Sequence, residues 1–77
     1  MDEKTKELIA IGASLAVNCH PCMEFHKKAA LAAGATEEQM RAAAQVGEQV
    51  KNGAARITRE KCAALFGAID GDQSCSA

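Results

Sequence analysis

The 77-residue chain has no tryptophan or tyrosine, only two phenylalanines and a single proline. Its apolar content of 48% consists largely of alanine, which occurs 17 times and buries little area per residue. A chain of this length forms one domain at most and lies near the size at which a single core is marginal. We therefore expect close-packed helices that bury further apolar surface by homo-oligomerisation.

The chain also lacks an excess of charge and a long apolar run. Nine basic and ten acidic residues leave a net charge of −1, which gives no electrostatic reason to expect a nucleic-acid partner. The apolar stretch 7–17 is too short to span a bilayer, and the mixed-charge MDEKTK before it is not a basic leader. We expect a cytoplasmic protein with no membrane partner. In that compartment, four cysteines favour catalysis or metal binding over a structural disulfide framework.

Helical periodicity extends along the chain, without strand alternation or an internal repeat. The predicted helices run from about Glu3 to Val17, from about His20 to Ala33, from the Thr36 capping box to Asn52-Gly53, and from a start between Ala54 and Arg59. The fold class predicted is therefore all-α, a small helical bundle. The residues predicted to face inward are Leu8, Ile11, Leu15, Ala16 or Cys19, Met40, Ala43, Ala44, Gly47, Val50, Ile57, Cys62, Leu65, Phe66 and Ile69. Phe25, Ala29, Ala32 and Ala33 are predicted to share one side of the second helix.

The segment NCHPCMEFH carries the candidate chemistry. Pro21 favours a helix start here, which places Cys22 in the first turn, where unpaired amides and the helix dipole lower the pKa of a thiol. His26 lies four residues later on the same face and can accept the thiol proton. We predict that Cys22 is the nucleophile.

Cys19 and Cys22 can also form a disulfide with each other. Side chains three apart in a regular helix are too far apart for this bond, so it closes only if Cys19 lies at the irregular helix margin. Such a bond is expected to be easily reduced, which suits a dithiol that cycles between oxidised and reduced forms.

Two other hypotheses stay open. Cys19, Cys22 and His26, with His20 as a fourth ligand, are residue types that zinc binds, although all lie within eight residues and no second ligand pair follows. Alternatively, the chain is a non-catalytic assembly module whose cysteines are incidental. Cys62 is expected in the core, and no role is evident for Cys75 near the tail at 70–77, which we expect to be flexible.

The run from Glu7 to Gly47 resembles the carboxymuconolactone decarboxylase family, specifically its alkylhydroperoxidase D-like branch. The shared pattern is a glutamate, a gap of 11 residues, C-x-x-C, three residues and a histidine, followed by an alanine-rich stretch that contains AGAT. These positions are Glu7, Cys19, Cys22 and His26 here. The resemblance extends over about residues 3–55, and we expect one such domain over residues 1–69.

The resemblance implies an all-helical fold assembled into trimers or hexamers. It implies that Cys22 attacks a peroxide or disulfide, that Cys19 resolves the sulfenic acid, and that His26 and Glu7 relay protons. In the better-studied peroxidases a histidine directly precedes the second cysteine, whereas this chain has Pro21 there and His20 one place earlier. This reaction requires no bound cofactor. Because the sequence has no recognisable nucleotide-binding site of its own, the electrons must come from an external dithiol such as a lipoyl group or a thioredoxin-like protein.

Overall fold

The computed structural model describes residues 1–68, which form three α-helices and no strand. Helix α1 spans Glu3–Ala16, α2 spans His20–Ala32 and α3 spans Glu37–Phe66. The all-α prediction is confirmed, and the first two helices end within one residue of their predicted ends. Residues 70–77, for which we predicted a flexible tail, lie outside the described part of the chain.

The prediction of a helix break at Asn52-Gly53 is wrong, because α3 continues through this pair for 30 residues in total. Glycine inside a helix costs only about 1 kcal/mol relative to alanine, and good helix formers on both sides outweigh that cost. The predicted third and fourth helices are therefore one helix of about 45 Å at 1.5 Å per residue.

Two turns of the same kind connect the three helices. After α2, Gly34 adopts the left-handed conformation (φ 94°), and the Ala35 amide donates to the Ala30 carbonyl at 2.9 Å, which is a Schellman motif. After this turn, Thr36 caps α3: its hydroxyl accepts from the Gln39 amide, and the Gln39 side chain accepts from the Thr36 amide. The predicted capping box is thus confirmed.

Helix α1 packs against both other helices, and its approach to α3 depends on two glycines. A Cβ atom on Gly47 would overlap the carbonyl oxygen of Gly12, and one on Gly12 would lie 2.9 Å from the carbonyl oxygen of Ala43. Six residues after Gly12, Asn18 accepts a hydrogen bond from Lys51, which lies four residues after Gly47. Helices α1 and α3 therefore run in the same direction, and the second half of α3 extends beyond the α1–α2 turn.

The core is small. Its buried apolar residues are Ile11, Ala30, Ala35 and Met40, with Leu8, Ala43 and Ala44 packed against them. Several residues predicted to face inward are instead exposed, because no helix of residues 1–68 covers them: Val50, Ile57, Leu65 and Phe66. Phe25 and Ala32 of the second helix are exposed as well. Cys62, which we predicted to lie in the core, is only half-buried, and Ile69 lies outside the described residues.

Candidate active site

Cys19 occupies two structural positions at once. Asn18 adopts the left-handed conformation (φ 60°), and the Cys19 amide donates to the Ser14 carbonyl at 2.9 Å, so the turn ends α1 as a Schellman motif. Cys19 is also the N-cap of α2, with an extended backbone (φ −94°, ψ 95°). Its place relative to both helices is therefore fixed by backbone hydrogen bonds.

The structure joins Cys19 and Cys22 in a disulfide, with the two Cα atoms 5.2 Å apart. Cys19 lies outside the regular helix and Cys22 lies in its first turn, as the spacing around Pro21 predicted. Both residues are partly exposed, so neither lies in the buried core. The pair can thus be opened and closed without unfolding a core.

No side chain of residues 1–68 forms a capping hydrogen bond at the N-terminus of α2. Pro21 has no N–H, and the Met23 amide donates to the Cys19 carbonyl, so the amides of this turn that have no partner within the helix are those of His20 and Cys22. Together with the helix dipole, these amides favour negative charge close to Cys22.

Glu7 and His26 form a hydrogen-bonded pair that connects α1 to α2. The Nδ1 atom of His26 lies 2.6 Å from Oε1 of Glu7, and the Glu7 side chain is buried, at 9% exposed, while that of His26 is 27% exposed. An ionised carboxylate can only accept, so Nδ1–H donates to it and Nε2 remains as the basic nitrogen. The rings of Phe25 and His26 are T-shaped to each other, with their centroids 5.0 Å apart and an interplanar angle of 85°.

The geometry therefore brings together the four residues Glu7, Cys19, Cys22 and His26. Cys22 and His26 are one helical turn apart on the same face of α2. Glu7 sits on the face of α1 that carries the other buried residues of this helix, Ile11 and Ser14. This face is the one that reaches α2, which explains how a residue 19 positions away along the chain contacts His26.

The structure shows one contact beside the dithiol that the sequence did not predict. Nζ of Lys51 donates to Oδ1 of Asn18 at 2.6 Å and so links α3 to the turn that precedes Cys19. No sequence signal indicates this pairing, because 33 residues separate the two positions. This hydrogen bond connects the turn to α3, whereas the bond from the Cys19 amide to the Ser14 carbonyl connects it to α1.

The other candidate residues make no described contact with this cluster. His20 is exposed at the start of α2, and Cys62 lies on α3 beyond the region covered by α1. Cys75 is outside the described residues. Within residues 1–68, no group of three or more histidine, cysteine or acidic side chains is arranged to hold a metal ion.

Comparison with known proteins identifies the family. The family model described as "Carboxymuconolactone decarboxylase family" matches residues 1–65, and the chain therefore belongs to this family. It is 38% identical over 71 residues to a protein of Paracoccus denitrificans described as "Uncharacterized protein 4 in cox locus". That match covers 92% of this chain and 64% of the relative, so the chain spans slightly less than two thirds of the relative's length.

Two further findings bear on the structure. No solved structure matches the chain significantly. Among the described residues, none of the three helices is both long enough and apolar enough to cross a membrane.

Proposed function

We propose that this protein is a thiol–disulfide oxidoreductase that reduces peroxides with the Cys19–Cys22 dithiol. One observation carries the proposal: a disulfide at the N-terminus of α2 lies one turn from His26, whose Nδ1 is held by the buried Glu7. A disulfide with a purely structural role is usually buried and does not require a basic side chain held beside it, whereas Cys19 and Cys22 are partly exposed and lie near the Glu7–His26 pair. Membership in a family that includes peroxidase-like enzymes supports the same conclusion.

In the first step, the Cys22 thiolate attacks the distal oxygen of a hydroperoxide. The O–O bond breaks, Cys22 becomes a sulfenic acid, and the alkoxide takes up a proton to leave as an alcohol. In the second step, the Cys19 thiolate attacks the sulfenic sulfur, a disulfide forms, and the hydroxyl group leaves as water after protonation. The peroxide is reduced by two electrons and the dithiol is oxidised by two.

His26 moves the protons in both steps. Its Nε2 accepts the Cys22 proton and returns it to the departing oxygen, while Glu7 holds the ring in the required tautomer and stabilises the charged imidazolium. Glu7 acts through His26, so we treat it as a positioning residue. His20 is exposed at the helix start and has no role in this scheme.

An external dithiol completes the cycle. Its thiolate attacks one sulfur of the Cys19–Cys22 disulfide, a mixed disulfide forms, and the second thiol of the donor resolves it. A lipoyl group or a thioredoxin-like protein supplies chemistry of this type. The donor leaves as a disulfide, and the protein returns to the reduced state.

The first experiment measures the mass of the fully reduced, EDTA-treated protein before and after one equivalent of hydrogen peroxide. We expect the loss of two hydrogen atoms, located by digestion to the Cys19–Cys22 peptide and reversed by a dithiol. Cys22→Ser should prevent this loss, and Cys19→Ser should accumulate a sulfenic acid. If the pair stays reduced while the peroxide remains unconsumed, the proposed activity is wrong.

A second experiment tests the relay with matched variants. Glu7→Gln keeps a hydrogen-bonding side chain but removes the charge that supports the imidazolium, so we expect disulfide formation to slow by about 10-fold or more. Glu24→Gln is the control, because Glu24 is exposed on α2 two residues before His26 and on the other side of the helix. Equal rates for the two variants would remove Glu7 from the mechanism.

A further inference from the structure

The side chain of Lys51 reaches from α3 to the turn that precedes the dithiol. Its Nζ atom donates to Oδ1 of Asn18 at 2.6 Å, and Asn18 directly precedes Cys19 in the chain. Lys51 lies four residues after Gly47, on the face of α3 that packs against α1, and it is half-buried, unlike either of its chain neighbours. The crossing of the two helices therefore directs this lysine towards the turn.

Lys51 brings a positive charge that no carboxylate neutralises. Within residues 1–68, no acidic side chain forms an ion pair with its ammonium group, whose hydrogen-bond partner is the neutral amide of Asn18. The Cα atoms of adjacent residues are about 3.8 Å apart, so the ammonium group lies within about 10 Å of the Cα atom of Cys19. A cation at such a distance favours a thiolate over the neutral thiol.

The second step of the proposed reaction has a requirement that the other groups do not meet. Cys19 must be a thiolate when it attacks the sulfenic sulfur of Cys22: the S–S bond forms, the S–O bond breaks, and the hydroxyl group takes a proton from His26 and leaves as water. Cys22 lies in the first turn of α2 with His26 one turn away. Cys19 lies outside the regular helix, and its side chain makes no capping hydrogen bond.

We propose that Lys51 is a positioning residue of the dithiol site, held by Asn18, whose positive charge stabilises the Cys19 thiolate for ring closure. The role of Cys19 in the cycle rests on the proposed function, whereas the effect of the charge on its thiol does not. The Cys19 proton goes to solvent, because an ammonium ion is not a base. The disulfide is neutral, so the same charge favours the reduced form of the pair over the oxidised form.

The other titratable side chains near the dithiol stay constant when Lys51 is replaced. They are Glu7 of α1 and His20, Glu24 and His26 of α2. Glu7 and His26 are paired with each other, and His20 and Glu24 are exposed. A difference in thiol titration between the native chain and a Lys51 variant therefore reports the lysine charge.

The test measures the Cys19 thiol alone, in the reduced full-length chain carrying Cys22→Ser. Alkylation by iodoacetamide is followed as a function of pH, and digestion with mass spectrometry counts the Cys19 peptide separately from the other cysteines. Lys51→Met keeps the apolar part of the side chain and removes the charge, so the midpoint of the profile should rise by about 0.5 pH unit. Lys51→Arg should keep the native midpoint.

Lys61→Met is the matched control. It removes the same charge from an exposed lysine of the same helix, ten residues or about 15 Å further along α3. The Cys19 midpoint should not change in this variant. Equal midpoints for the native chain and Lys51→Met, or equal shifts in Lys51→Met and Lys61→Met, would overturn the proposal.

Ionic strength separates the charge of Lys51 from a purely structural role. The screening length falls from about 30 Å at 0.01 M salt to about 3 Å at 1 M. The shift caused by Lys51→Met should therefore be present in 0.01 M salt and absent in 1 M salt. A shift that persists in 1 M salt would indicate a structural contact alone and would contradict the electrostatic role.

A double-mutant cycle tests whether Asn18 holds the charge in place. Asn18→Gly tolerates the positive φ but loses the contact, so it should shift the midpoint as Lys51→Met does, and the double variant should shift it no further. Circular dichroism checks that each variant keeps its helical content. Additive shifts would refute the role of Asn18. If the native protein fails to consume peroxide but shows the Lys51 shift, the proposed function is wrong and the effect of Lys51 on the thiol stands.

Discussion

Two glycines of α3 should respond in opposite ways to the same substitution. Helix propensity alone predicts that glycine to alanine stabilises an internal helical position by about 1 kcal/mol, for Gly47 and Gly53 alike. The structure gives different expectations for the two positions. A Cβ atom on Gly53 would meet nothing within 4 Å, whereas one on Gly47 would overlap the backbone carbonyl of Gly12.

The expected change in the free energy of unfolding depends on which atoms can move to relieve the overlap. No rotamer change relieves an overlap between a Cβ atom and a backbone oxygen, so α1 must move away from α3 and lose packing along the contact. Overpacking of this kind typically costs about 1–3 kcal/mol, and a backbone clash belongs at the upper end. After the propensity gain, Gly47→Ala should lose about 2 kcal/mol, and Gly53→Ala should gain about 1 kcal/mol.

Urea unfolding followed by circular dichroism measures this difference of about 3 kcal/mol. Both variants should be compared at one protein concentration, because association makes the apparent stability depend on concentration. Gly53→Ala should raise Tm by about 4–8 °C. If Gly47→Ala is as stable as Gly53→Ala, the close crossing of α1 and α3 at Gly12 is incorrect.

Three further predictions concern the helix ends. Asn18→Ala should be less stable than Asn18→Gly by about 1 kcal/mol in urea unfolding, because both lose the side-chain contact but only alanine is disfavoured at φ 60°. Thr36→Ala should cost about 1 kcal/mol by the same assay, because it removes the cap of α3, whereas Thr36→Ser should be nearly neutral. Hydrogen bonds from the Thr5 side chain and then from its amide lower the pKa of Asp2, so the advantage of Asp2 over Asp2→Ala is complete above the ordinary carboxyl pKa. Thermal unfolding between about pH 2.5 and 6 should show this advantage disappear as the pH falls through the lowered pKa, and a constant difference would contradict it.

The features that the sequence predicted well are encoded locally. The Thr36 capping box, Gly34 and Asn18 each need only a few neighbouring residues to define a helix end, and Pro21 marks the start of α2 in the same way. The position of the dithiol at a helix margin follows from these local signals. Its placement did not depend on tertiary packing, and it was therefore predictable from a short segment.

Other features were predicted poorly from the sequence. They depend on contacts between residues far apart in the chain, or on the balance between ending a helix and continuing it. Asn52-Gly53 has the composition of a helix end, but without a proline the neighbouring residues continue the helix. The exposure of Ile57 and Leu65 depends on how far α1 extends along α3. The contact of Glu7 with His26 was implied only by the family resemblance, and Lys51 with Asn18 had no signal at all.

The double role of Cys19 has a consequence for the lifetime of an oxidised intermediate. The backbone bonds of the turn, from the Cys19 amide to Ser14 and from the Met23 amide to the Cys19 carbonyl, do not involve sulfur, so they persist when the disulfide opens. Under the proposed mechanism, the second thiol would therefore stay beside a Cys22 sulfenic acid at a high effective concentration. We then expect ring closure to be faster than attack by a second peroxide molecule, which would suppress irreversible loss of the dithiol as sulfinic acid even when peroxide is abundant.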